Sequence, residues 1–242
     1  MTGTSVEAMS CLDIFSGIGG FSLGLERAGF ETIAFCENNP DCQRVLRHHW
    51  PEVPLYDDVY ELTADRLGER VELIAGGFPC QPHSSASRGR RVAVDLWPEF
   101  LRLVRECRPD WVAAENVPGI GYDGVDRVSR DLEDAGYSVW PFDLDTALPQ
   151  RQRGRVRFIW LAHANGNGEP RRAEHGQAVA SVRPLSSERP EDYAPPLGMD
   201  DVLPQRMDRL HGLGNALTPT IAELIGRAIQ RVELLSDEDQ LK

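Results

Sequence analysis

Lysine is all but missing from this chain: of its 26 basic residues only Lys242 is lysine, and the rest are arginine. Cysteine pairs are missing too. Cys11, Cys36, Cys42, Cys80 and Cys107 include no Cys-x-x-Cys and are odd in number, which argues against a disulfide framework or a zinc site and for reduced thiols. No apolar run exceeds the length of a strand, and the opening MTGTSVEAMS has neither a basic region nor an apolar core. Nothing therefore suggests membrane insertion or export, and a cytosolic protein is expected. A surplus of positive charge is also lacking: the net charge of −12 would ordinarily count against a nucleic-acid partner, because phosphate contacts need basic residues. At 242 residues there is no room for two large domains, but enough for one α/β domain with a substantial core and a small appended lobe.

What is present is an alternation of strand-like and helix-period stretches over the first 160 residues or so, the pattern of a doubly wound, mostly parallel α/β sheet. CLDIF (11–15), TIAFCE (32–37), a weak run at 55–59, VELIAGG (71–77), WVAAENV (111–117), YSVWPF (137–142) and VRFIWLA (156–162) read as strands. Helices are expected after SGIGG, over PDCQRVLRHHWP, around Leu96, Phe100, Leu103 and Val104, and around Val125, Val128 and Leu132. Residues 163–200 turn rich in Gly, Pro, Ser, Arg and Glu and lose all period. An amphipathic helix is expected over 221–235, then a frayed acidic tail, SDEDQLK. The domain reading is a catalytic and cofactor-binding unit over 1–162, a short recognition region over 163–205, a segment completing the first unit over 206–235 and a tail over 236–242.

Three stretches carry candidate chemistry. DIFSGIGGF (13–21) puts a glycine turn between a strand and a helix, either a plain tight turn or a place where a cofactor meets backbone at a helix N-terminus. It is not the dinucleotide fingerprint, since Ser22 stands at the third glycine position. Glu37 follows Gly17 by 20 residues, where such folds hold a ribose with an acid; Asp57 and Asp58 could meet an adenine amino group or simply be solvated. GGFPCQPHSS (76–85) fences Cys80 between prolines at the end of a strand. A thiolate nucleophile needs partial exposure and a nearby acid or base, and Glu115 with Asn116, ending another strand in AENVPG, would open on the same sheet edge.

GGFPCQ with ENVPG, preceded by DIFSGIGG and followed by RQRGRVRF and GNALTP, resembles the DNA (cytosine-5) methyltransferase family in order and spacing over almost the whole chain. The resemblance implies an S-adenosylmethionine-dependent, Rossmann-like fold. It implies a cofactor pocket formed by Phe15, Ser16, Gly17, Ile18 and Gly19 at the glycine turn, Glu37 and Asn38 at the ribose, Asp58 and Val59 at the adenine, with Pro79, Leu96, Asn215 and Ala216. It makes Cys80 the nucleophile that adds to carbon 6 of a cytosine flipped out of duplex DNA. Glu115 would act at ring nitrogen 3 and the exocyclic amine, and Arg153 and Arg155 would complete the catalytic set, Arg155 holding the carbonyl oxygen. Carbon 5 then takes the methyl group, leaving 5-methylcytosine and S-adenosylhomocysteine, with no metal. Arg88, Arg90 and Arg91, just after the nucleophile, and Arg171, Arg172 and Gln177, in the variable region, are implied DNA contacts, joined there by His175 and Arg183. A monomer acting on double-stranded DNA in a bacterial or phage-infected cell, near the nucleoid and of restriction-modification type, is the implied setting.

The chain departs from the family's pattern in places. In the Gln-x-Arg-x-Arg block, counted back from Arg153 and Arg155, Arg151 occupies the Gln position and Gln150 falls one residue early. Pro82 and His83 replace the usual aromatic after PCQ, and the variable region, 163–205, is short, so short or relaxed site recognition is expected. Two other readings stand beside the enzyme: a DNA-binding relative that has lost turnover, and an RNA cytosine methyltransferase. The tripeptide Cys-Phe-Thr of the tRNA-acting branch is absent. A nicotinamide oxidoreductase is remote, because the glycine spacing does not fit.

Overall fold

A computed structural model of the chain describes residues 8–79, 95–145, 156–164 and 218–240. Within them β1 (Met9–Ile14), β2 (Phe30–Cys36), β3 (Leu55–Tyr56), β4 (Leu73–Gly77), β5 (Trp111–Asn116), β6 (Tyr137–Asp145) and β7 (Val156–Ala164) form one sheet in the order β3-β2-β1-β4-β5-β7-β6. All pairings from β3 to β5 are parallel; β7 runs antiparallel to both β5 and β6. The expected mostly parallel sheet is thus observed. Pro141, which has no N–H to give, sits in β6 at the sheet's edge.

The central strands read as near-continuous apolar runs because both of their faces are covered. Leu12, Ile14, Ile74, Val112, Ala114 and Trp160 point to one side, where α4 (Trp97–Cys107) and α5 (Gly121–Asp134) supply Trp97, Phe100, Leu103, Val128 and Leu132. Cys11, Leu73, Ala75, Trp111, Ala113 and Ile159 point to the other, against Phe21 and Leu25 of α1 (Gly20–Arg27) and Ile225, Ile229 and Val232 of α6 (Pro219–Gln240). Small residues let α1 and α6 approach closely: a Cβ on Gly226 would lie 2.6 Å from the Ala28 Cβ. The Trp111 indole N–H, donating to Glu233 Oε1 at 2.6 Å, ties α6 to β5.

Two elements differ from expectation. β3 is only two residues long, and α6 runs on through the acidic segment to Gln240 rather than fraying at 235. Nothing after Leu235 breaks a helix: SDEDQ contains neither Gly nor Pro. The short helix α3 (Ala64–Leu67) has too few residues to leave a periodic signal.

Strand order reverses about β1, with β2 on one side and β4 on the other. Such a switch point opens a crevice at the carboxyl ends of the strands. Helix α2 (Pro40–His49) begins beside it, capped by the Asn39 side chain, which accepts from the N–H groups of Asp41 and Cys42, with Pro40 in the first turn.

Candidate active site

The crevice is a cavity of about 610 Å³ bounded by the ends of β1, β2, β4 and β5. At the end of β1 the backbone takes left-handed φ at Phe15 (55°), Gly17 (55°) and Gly19 (83°). A phenylalanine in that conformation is strained, and its ring, stacked 6.5 Å from Phe100, lies in the cavity wall. A Cβ built on Gly17 meets nothing within 4 Å, so the turn leaves open space where a ligand can come against backbone.

Of the residues implied for cofactor binding, Phe15, Ser16 and Gly17 line the cavity, as do Glu37, Asn38, Asp58, Val59, Pro79 and Leu96. Ile18 and Gly19 do not. Ile18 is a core residue, and Gly19 is required for another reason: a Cβ there would lie 2.6 Å from the Trp50 ring. The family resemblance implies both with the rest of the turn, but here the Ile18 side chain is buried and the Gly19 Cα faces the Trp50 ring. Asn215 and Ala216 fall outside the described residues, as do Cys80, Arg153, Arg155, Arg88, Arg90, Arg91, Arg171, Arg172 and Gln177, along with Pro82, His83, Gln150, Arg151, His175 and Arg183.

Glu37 is held by its own surroundings. Its Oε2 accepts from the Gly17 N–H at 2.8 Å and its Oε1 from the Asn39 N–H at 2.7 Å. Each oxygen keeps a further lone pair for a hydroxyl donor. Asp58 Oδ1 accepts from the Tyr60 N–H at 2.8 Å. Beneath the glycine turn, buried Asp13 accepts from Ser22 through its Oγ–H (2.7 Å) and N–H (3.2 Å), pinning the first turn of α1 to β1.

Burial pushes the Asp13 carboxyl up to about 7, against the pull of its bonds from Ser22 and with a further push from Glu37. It therefore binds its proton more tightly in the folded chain than in the unfolded one, so its contribution to stability falls as pH rises from near 3.8 through about 7. Asp13→Asn removes that titration. Its melting temperature relative to the parent should rise by a few degrees between about pH 5.5 and about pH 8, and a constant difference would refute the assignment.

At the end of β5, Glu115 pairs with a residue that the block reading did not select. Glu115 stands opposite Ile159 in the antiparallel register; since side chains alternate, Arg157, two residues from Ile159, rises on the same face. Arg157 Nε lies 2.7 Å from Glu115 Oε1, with the two side chains only 11% and 8% exposed. The run RQRGRVR contains Arg-x-Arg three times, at 151 and 153, at 153 and 155 and at 155 and 157. Sequence spacing does not choose between them; strand register does. Glu115 Oε2 is confined by Gly77 on the neighbouring strand, where a Cβ would come within 2.7 Å. Gly77→Ala should displace the carboxylate, which Arg157 keeps from swinging aside, lowering turnover about 10–100-fold with little change in melting temperature; unchanged turnover would show that Glu115 tolerates the shift. Beside it, buried Asn116 donates from Nδ2 to the Phe78 carbonyl at 2.9 Å, fixing the chain as it runs to Pro79 and Cys80.

The four described cysteines are poor nucleophiles. Burial first, then the carboxylates of Glu37, Asp58 and Asp57, push the Cys36 thiol up to about 12. Burial, with Glu37 and Asp41, does the same to Cys42, and Cys107 rises to about 11 and Cys11 well above its ordinary value, burial again leading in both. Among the described residues no cluster of His, Cys, Asp and Glu could hold a metal ion, and no helix is long and apolar enough to cross a membrane.

Comparison with known proteins fits this architecture. The family model for C-5 cytosine-specific DNA methylase matches residues 9–192. The chain belongs to this family. Use of S-adenosylmethionine is a general property of its members. The Type II methyltransferase M.HgiBI of Herpetosiphon aurantiacus is 34% identical over 189 residues, 71% of this chain and 42% of the relative. M.HindV of Haemophilus influenzae, also a Type II methyltransferase, is 30% identical over 194 residues, 75% of this chain and 60% of the relative. With M.PspPI of Psychrobacter matched over 34% of its length, this chain spans between about a third and three fifths of these curated relatives. Among solved structures, a protein described as a DNA modification methyltransferase encoded within an E. coli prophage superposes with a TM-score of 0.54 at 27% identity, covering 65% of this chain and 47% of that one. A mutant of Spodoptera frugiperda DNMT2 shares the fold, with a TM-score of 0.56 at 22% identity over 67% of this chain and 52% of that one.

Proposed function

We propose that this chain is a DNA cytosine-5 methyltransferase that flips a target cytosine into the cavity and methylates its carbon 5. The observation that carries the reading is the Glu115–Arg157 pair, set against Gly77 and opening on the same cavity as Glu37, with Pro79, the residue before Cys80, in the wall.

The cavity suits the methyl donor. Its walls carry Glu37, Asp57, Asp58 and Glu115, and Asp13 lies beneath. An acidic cavity favours a ligand bearing ammonium and sulfonium charges and disfavours a dinucleotide with its phosphates. Glu37 would accept from the ribose hydroxyls, and Asp58 and Val59 would hold the adenine between Phe15 and Leu96, with Ser16, Gly17, Asn38 and Pro79 completing the contact. Asn215 and Ala216, just before α6, would close the pocket from the C-terminal side. Bound S-adenosylmethionine supplies an electrophilic methyl group.

The protein's own part is to make carbon 5 of cytosine nucleophilic. The Cys80 thiolate adds to carbon 6, forming a C–S bond while the ring's electron pair moves toward carbon 5. Neutral cytosine resists that attack. Glu115 offsets the resistance by holding a proton at ring nitrogen 3, and Arg157 keeps its carboxyl in place. Arg155 would sit at the carbonyl oxygen with Arg153 nearby, as the family resemblance implies. After carbon 5 has gained its methyl group, loss of the carbon-5 proton and departure of Cys80 restore the aromatic ring.

Residues 163–205 are assigned to target recognition and 206–235 to completion of the catalytic unit, the latter supported by the packing of α6 on α1. Arg88, Arg90, Arg91, Arg171, Arg172 and Gln177 are the proposed DNA contacts. Transfer of labelled methyl groups to duplex DNA, followed by detection of 5-methylcytosine, tests the proposal. Label on DNA is the expected outcome; label on tRNA instead, or on neither, would overturn it.

A further inference from the structure

Helix α4 touches the cavity at one end only. Leu96, just before it, lines the cavity and donates its N–H to the Pro79 carbonyl at 3.1 Å. Arg102, six residues further and therefore about 9 Å along the helix, is no part of the lining, yet its guanidinium reaches back to it. Nη2 donates to the Val59 carbonyl at 2.7 Å, Nε to Glu99 Oε2 at 2.7 Å and Nη1 to Glu106 Oε1 at 2.8 Å. Glu106 uses its other oxygen, Oε2, to accept from the Ala64 N–H at 3.3 Å. The loop after β3 is thereby clamped at Val59 and at Ala64 by one ion-paired cluster on α4.

That loop carries Asp58 and Val59. Its own turn is closed by the Glu61 and Leu62 N–H groups, which donate to the Asp58 carbonyl at 3.3 and 3.2 Å, and by the Tyr60 N–H on Asp58 Oδ1. These bonds fix the shape of the turn but not its distance from the rest of the cavity. The Arg102 bond to the next carbonyl supplies that anchor. A guanidinium held by two carboxylates is pre-organised to make it.

We propose that Arg102 is a positioning residue for the methyl donor: by holding the Val59 carbonyl, it sets the Asp58–Val59 wall at the separation from Phe15 and Leu96 that the adenine requires. This rests on reading the cavity as the S-adenosylmethionine site. The role is one of binding, and it leaves the thiol and carboxylate chemistry untouched.

Calorimetric titration with S-adenosylhomocysteine, alongside steady-state kinetics, tests it on the full chain well below its melting temperature. Arg102→Met should weaken binding about tenfold, equivalent to about 1.4 kcal/mol, and raise KM for the donor in step, with kcat at saturating donor within about twofold. Arg102→Lys, which restores one charged donor but not the fork, should fall between. Glu106→Gln should weaken binding about threefold and decides the matter if Arg102→Met does not fold. Arg70→Met, which removes an exposed pair with Asp110, is the control for a general loss of stability. Equal binding by Arg102→Met and the parent, a loss matched by Arg70→Met, or a fall in kcat at unchanged KM would each overturn the proposal. Failure of the parent itself to bind S-adenosylhomocysteine would overturn the cavity assignment and this inference together.

Discussion

Cys80→Ser is expected to lower methyl transfer by about four orders of magnitude or more, with S-adenosylhomocysteine affinity changed less than about twofold. A serine hydroxyl is far less acidic than a thiol and far less able to add to carbon 6 without a strong base beside it. No other described cysteine can take over. Cys36 and Cys42 line the same cavity, but with their thiols pushed up to about 12 they stay protonated at neutral pH. Single-turnover assays with labelled donor, run beside calorimetry, measure both quantities. Retained turnover in the variant would remove the covalent step from the account.

Glu115→Gln should cost about 10²–10⁴ in turnover while keeping the side chain's size. Its amide can still face Arg157, but it can neither carry the proton for ring nitrogen 3 nor balance the guanidinium's charge. Because Glu115 is buried and the Arg157 side chain only 11% exposed, loss of that charge should also lower stability measurably, so activity is to be compared at a temperature where both proteins are folded. Arg157→Met tests the other half of the pair. If Arg157 works through Glu115, the double variant should be no slower than the worse single one. Independent, multiplying effects would give Arg157 a separate task at the base.

Most of the frame could be read from the chain. LIAGG (73–77) and WVAA (111–114) are short apolar runs, which in a parallel sheet covered on both faces is what strands look like. The acids and glycines of the crevice were legible for a related reason: Gly17, Glu37, Asp58 and Glu115 all stand at strand ends, where polarity changes abruptly. The contacts that position them were not. Arg157 was hidden by the repeated Arg-x-Arg, since only the pairing of Glu115 with Ile159 says which arginine turns toward the carboxylate. Gly77 stood only as the last residue of the VELIAGG strand, and its closeness to Glu115 exists only once β4 lies beside β5. Arg102 left no signal in the sequence, because the carbonyl it holds lies 43 residues away in sequence. Ile18 and Gly19 lie outside the cavity lining, Ile18 in the core and Gly19 against Trp50.

The central claim is a transient bond between the Cys80 sulfur and carbon 6 of an extruded cytosine. It is tested most directly by incubating the protein and methyl donor with a duplex it methylates, in which the target base is replaced by 5-fluorocytosine; fluorine cannot leave carbon 5 as a proton does. The account predicts a denaturation-stable protein–DNA adduct whose crosslinked peptide contains Cys80, absent from Cys80→Ser. A duplex that is methylated in its normal form yet yields no adduct when fluorinated, or an adduct at another residue, would contradict it.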